Sequence, residues 1–135
     1  MRAEREVNLG IDDVGPSRHW ARGHLEESGV TGSRLELLAL LVSELVTNAV
    51  EHAWPPVVLS VDVSAARIRV EVTDGNRDVP ILRIAGANSD SGRGVWLIDQ
   101  LASRWGTDID HENHTKAVWF ELHADDERPV LDQFA

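Results

Sequence analysis

The sequence contains no cysteine. That absence removes disulfides, thiolate nucleophiles and cysteine-based zinc sites. It fits a reducing cytosol, and a chain of 135 residues can build a core without covalent staples. The expected location is cytoplasmic. Basic residues are scarce as well. Thirteen Lys+Arg stand against 23 Asp+Glu, a formal net charge of -10. A protein that tracks nucleic-acid phosphates needs a basic face to release counterions, so no direct nucleic-acid binding is expected. The same balance argues against a polybasic membrane-surface module. Long apolar runs are missing too. The longest, residues 37–42, is far too short to cross a bilayer, so no membrane partner is expected. The opening Met1-Arg2-Ala3-Glu4-Arg5-Glu6 leads into no apolar core and does not read as a secretory signal. No Gly-x-x-x-x-Gly-Lys-[Ser/Thr] loop is present, which excludes a P-loop ATPase. Lysine is nearly absent, with twelve arginines to one lysine, a bias of coding composition more than of chemistry.

What remains is a hydrophobic fraction of 42%, enough for one core. One domain is expected over residues 1–123, with 124–135 as a mobile acidic tail. Residues 6–11 read as a short opening strand. Pro16, suited to the first helical position, starts a helix that Gly29 stops. Ser33 and Glu36 match a capping box, and helical spacing continues to about Ala53, where Pro55-Pro56 ends it. Leu38, Leu41, Val42, Leu45, Val46, Ala49 and Val50 give that helix its apolar face, and Leu37 and Leu40 extend it around the circumference. Alternating residues 57–63 and 67–73, linked by Ser64-Ala65-Ala66, predict an antiparallel hairpin. Residues 75–91 read as a long polar loop and 95–103 as a helix. Residues 104–109 and 115–123 read as a closing strand pair. The expected architecture is an α+β two-layer sandwich, a mixed, mainly antiparallel sheet with helices on one face.

Three features carry chemistry. Glu44, Asn48 and His52 are spaced by four on a mostly apolar helix. A carboxylate and a carboxamide there need partners, a ligand or a solvent edge, because burying them bare is costly. Glu51 and His52, near the helix end, read more readily as surface residues. Asp74 shares strand parity with Ile68, Val70 and Val72, so it points toward the apolar side unless the strand has already ended in an Asp-Gly turn. Ser91-Gly92-Arg93-Gly94 precedes a helix, where glycines expose N–H groups beside the positive end of the dipole. His111-Glu112-Asn113-His114 has metal-ligand residue types but no third ligand, and reads as a solvated hairpin. Trp96, Trp105 and Trp119 are expected in the core or an interface.

The ordered set is more specific than any member. Glu44-x-x-x-Asn48, then Asp74-Gly75, a long loop, Ser91-Gly92-Arg93-Gly94 and a final Val118-Trp119-Phe120-Glu121-Leu122 strand resemble the Bergerat-type (GHKL) histidine-kinase-like ATPase fold. Within it, residues 41–53 and 91–106 resemble the small stand-alone anti-sigma-factor serine kinases of actinobacteria, and the resemblance runs from about residue 6 to 123. It implies ATP and Mg²⁺ as cofactors. Asn48 would ligate the metal, Glu44 would be the catalytic base, and Asp74 would accept a hydrogen bond from the adenine amine. Gly75 would let the backbone pass the base. Gly92, Arg93, Gly94 and Val95 would face the phosphates, and residues 76–91 would form a lid. Implied partners are a sigma factor and an anti-anti-sigma protein, and a homodimer is compatible with the family. The chain departs from the pattern in two places. Asp74-Gly75-Asn76-Arg77-Asp78 stands where Asp-x-Gly-x-Gly is usual. Ala117 stands where a threonine near the nucleotide is usual, and Thr115, two residues away on the same strand face, would contact the nucleotide. Three readings follow: an ATP-dependent serine kinase of an anti-anti-sigma factor that also sequesters a sigma factor, a non-catalytic anti-sigma-like binding module with weak or lost nucleotide binding, and, last, a detached histidine-kinase ATPase domain.

Overall fold

A computed structural model describes residues 1–75 and 90–125. The expected lid (76–91) and tail (124–135) therefore lie almost wholly outside the described residues. Five strands form one sheet in the order β1-β2-β3-β5-β4: β1 Arg2–Val7, β2 Val57–Val63, β3 Arg67–Asp74, β4 Arg104–Asp110 and β5 Thr115–His123. Every pairing is antiparallel, so the parallel component implied by a mixed sheet is absent among the described residues. Helices α1 (Val14–Glu27), α2 (Gly32–His52) and α3 (Asp90–Leu101) make the second layer.

Strand alternation builds the core. Val57, Leu59 and Val61 of β2, Ile68, Val70 and Val72 of β3, and Val118, Phe120 and Leu122 of β5 are buried in it. Leu38, Leu41, Val42, Leu45, Val46 and Ala49 of α2 pack there too. At roughly 25 cal/mol per Å² of apolar surface removed from water, such burial is the main force holding α2 down. The opening strand lies earlier than residues 6–11. Arg2–Val7 forms edge strand β1, with Arg5 opposite Leu59. The sequence pattern hides this strand because the central one of its inward residues Ala3, Arg5 and Val7 is an arginine. Arg5 is bonded to Asp13 at 2.7 Å, and Asp13 also accepts from the Asn8 amide.

The helix ends show one expected signal and one that is not used. Gly29 has φ +94°, and the Val30 and Gly29 amides bond back to the Leu25 and Glu26 carbonyls, the reciprocal pair that closes a helix on glycine. The capping box at Ser33 and Glu36 does not form. Helix α2 begins at Gly32 after Thr31, with no side-chain cap bond, and Glu36 pairs instead with Arg22 of α1. Pro16 sits two residues inside α1, which starts at Val14.

Candidate functional site

Helix α2 crosses the sheet so that its C-terminal half lies over the ends of β3 and β5. A pocket opens there, lined by Leu45, Asn48, Ala49, His52 and Ala53 of α2 and the residue after it, and by Val72, Asp74, Lys116 and Val118 of the sheet. The strand parity of Asp74 holds: β3 continues through it, and it is 3% exposed on the helix-facing side. Two of the sequence's polar signals, Asn48 and Asp74, thus meet in one pocket although they come from different elements.

Glu44 is half-buried one turn before Asn48 on the same helix. It is not among the pocket-lining residues. Burial pushes its carboxyl above the ordinary glutamate range, and the negative charge of Glu51 adds to the rise. A carboxyl shifted in that direction is a stronger base once ionised. Ser43 and Thr47, which flank it, return their hydroxyls to the Ala39 and Ser43 carbonyls.

Gly75 follows Asp74 at the end of β3. Its amide donates to the Trp54 carbonyl at 3.2 Å, tying the end of β3 to the segment that follows α2. A Cβ at Gly75 would meet nothing within 4 Å, so the space beside this backbone is open. Trp54 itself is 59% exposed.

Two sequence expectations need correction. Gly92, Arg93, Gly94 and Val95 lie inside α3, which begins at Asp90 and ends at Leu101, and not ahead of a helix over 95–103. A helix leaves its first four N–H groups without intrahelical acceptors. Among the described residues the donors at this end are therefore those of residues 90–92, and the amides of residues 93–95 fall within the helical ladder. The second correction concerns β5. Thr115 and Ala117 share a face with Trp119 and Glu121, and that face is turned away from α2. Thr115 therefore points away from the pocket, and Lys116 takes the inward place opposite Asp74.

Lys116 is the residue that sequence reasoning missed. Its side chain is 4% exposed, and its Nζ lies 3.8 Å from Asp74 Oδ2. Parity with Val118, Phe120 and Leu122 was the available signal. His52 is 51% exposed at the helix end, as expected of a surface residue, and also borders the pocket.

The remaining candidates fall elsewhere. His111 to His114 are exposed in a turn organised by Asp110, which accepts from the Glu112 and Asn113 amides and from the Asn113 side chain. Trp105 lies on the helix side, and its ring N–H donates to Asp99 of α3 at 2.8 Å. Trp119 lies on the outer face under Arg69, 4.2 Å from its ring centre. It spreads over Gly106, where a Cβ would come within 3.0 Å of the ring. Trp96 is partly exposed on α3.

The donor set suits Mg²⁺-nucleotide chemistry. Asn48 offers a neutral oxygen, sufficient for a cation that keeps several waters and takes its other ligands from phosphates. Among the described residues there is no cluster of three or more His, Asp or Glu that could hold a metal on its own. Asp74 offers a buried carboxylate in the same pocket. Against known families, the model of the histidine kinase-like ATPase domain matches residues 8–122. A comparison with curated proteins finds no match.

Proposed function

The chain belongs to the histidine kinase-like ATPase domain family, and on that premise we propose that it is an ATP-binding regulator acting as a serine protein kinase on an anti-anti-sigma factor. In the same reading it sequesters a sigma factor when the antagonist is phosphorylated. The observation that carries the nucleotide part is the convergence of Asn48 and Asp74 on one pocket, with Glu44 one turn away. The partner assignment rests on the resemblance of residues 41–53 and 91–106 to small anti-sigma kinases.

In this reading Asp74 holds the base end through its buried carboxylate, and Asn48 presents its carboxamide oxygen to the metal. Bound Mg²⁺ would offset phosphate charge that an acidic protein of net charge -10 cannot offset globally. Glu44 accepts the proton of the attacking seryl hydroxyl as its oxygen approaches the terminal phosphorus. Its raised pKa matches that task. The backbone at the start of α3 supplies N–H donors to the phosphates.

The test has two stages. Labelled ATP with Mg²⁺ should bind saturably, and Asn48→Ala should abolish the binding. Phosphate transfer to a seryl protein partner should then be lost in Glu44→Ala while binding survives. Binding without any transfer by the unaltered protein would leave the non-catalytic anti-sigma module as the better reading.

A further inference from the structure

We propose that the groove between the α1–α2 turn and the β2–β3 hairpin is a second ligand site, which takes a small monocarboxylate with a short apolar body. It borders the start of β3, whereas the Asp74 pocket borders the end of that strand, about 20 Å away. The inference does not rest on the ATP reading.

Size, walls and charge lead to it. The groove measures about 390 Å³, within the range of cavities that hold small organic ligands. Its walls include Val30, Val63 and Ile68, against which an apolar body is removed from water. Most of its polar side chains are satisfied within the protein. The Ser28 hydroxyl donates to the His24 carbonyl, the Ser64 hydroxyl bonds to the Arg67 backbone, and the Arg67 guanidinium bonds to Glu121.

Arg34, on the same groove, is different. Arg5, Arg22, Arg67 and Arg69 each pair with a carboxylate. Among the described residues Arg34 pairs with none. Its one hydrogen bond there runs from Nη2 to the His123 carbonyl at 2.8 Å, from α2 to the end of β5. A guanidinium carries five N–H donors, so that bond anchors the side chain and leaves most donors open. Thr31, also on the groove, makes no side-chain cap bond to α2. The groove therefore combines apolar walls with one anchored cation that has no anion of its own. A carboxylate matches the guanidinium fork, which can engage both its oxygens at once. A dianion such as a phosphate monoester would carry more charge than one arginine balances.

The experiment records amide NMR spectra of the full chain at pH 7 during titration with isocaproate, its neutral amide isocaproamide, and acetate. Isocaproate should bind saturably and shift the amides of Thr31, Arg34, Ser64 and Ala65, leaving those of Val72 to Gly75 unmoved. It should bind at least about tenfold more tightly than isocaproamide, which lacks the charge, and than acetate, which lacks the body. Arg34→Met should bind acid and amide alike. If that variant does not fold, the acid-to-amide ratio of the unaltered protein decides. Equal binding of acid and amide, a preference retained in Arg34→Met, or acetate bound as tightly as isocaproate would overturn the proposal. So would the lack of a saturable shift in the groove at millimolar isocaproate, or shifts confined to Val72 to Gly75.

Discussion

Two carboxylates are buried in the same sheet, one on each face, and their surroundings differ. Glu121 lies on the outer face, 2% exposed, and is enclosed by cations. Arg67 bonds to it, Arg69 reaches it at 2.9 Å, and the His123 ring nitrogen lies at 2.9 Å. Arg69 also spans to Glu71 and covers Trp119, so the group is one linked lattice across β3 and β5. Asp74 lies on the inner face beside a pocket, opposite one lysine, with Asn48 and His52 on the facing helix. Burial alone does not mark a functional carboxylate. Among the described residues, what separates the two is that cations close around Glu121, whereas Asp74 borders a pocket lined also by Asn48 and His52. Glu121 joins strands, and Asp74 lines a pocket.

The largest expected effect tests the first half of that contrast. Glu121→Ala leaves two arginines without their shared anion and should cost about 3 kcal/mol in urea unfolding, typical of breaking a buried ion pair from one side. ATP affinity of the folded fraction should not change. Asp74→Asn should differ from it in binding. It too should lower stability, by about 3 kcal/mol, because it removes the anion facing the buried Lys116 ammonium, but calorimetry on the folded protein should also show ATP affinity falling about 30-fold, or roughly 2 kcal/mol. If both substitutions reduced stability and neither touched binding, the distinction between the two carboxylates would collapse.

Acid titration offers a finer test. Burial would by itself raise the Glu121 pKa, but hydrogen bonds from His123 and Arg69 and the charges of Arg67 and Arg69 outweigh it, and the net shift is downward. A carboxylate with a lowered folded pKa contributes stability that is fully present above its unfolded pKa. That contribution is lost as pH falls through the folded value. Stability measured from pH 7 to pH 3 should therefore fall more steeply in the unaltered protein than in Glu121→Gln. Glu44 carries the opposite sign. Its folded pKa is raised, so its ionisation opposes folding above the unfolded pKa and is neutral below it. Glu44→Gln should be slightly more stable at pH 7, by about 0.3 kcal/mol given solvent screening of a half-exposed group. The gain should vanish near pH 4. The same raised pKa places the acid limb of any phosphoryl transfer above the ordinary glutamate range.

Much of the fold was legible because its signals were periodic. The buried face of α2 and the alternation of β2, β3 and β5 follow directly from apolar spacing. The family resemblance of residues 6–123 agrees with the matched span of 8–122. Strand β1 was misplaced because Arg5 takes an inward position and is satisfied by Asp13, a pairing between elements that no local pattern shows. The capping box failed for a similar reason: Arg22 of the neighbouring helix claims Glu36. In the site, Asn48 and Asp74 could be read from helix and strand periods. Lys116 could not be recognised so easily, because a charged residue beside Thr115 and Ala117 resembles the polar start of a strand. Only the register with β3 shows that it faces Asp74.

The most direct test of the central claim is a calorimetric titration of Mg²⁺-ATP into the unaltered protein, Asp74→Asn and Glu121→Gln, side by side. The account predicts saturable binding by the unaltered protein, an unchanged affinity in Glu121→Gln, and a loss of about 30-fold in Asp74→Asn. No binding up to millimolar ATP, or equal binding by all three proteins, would contradict it.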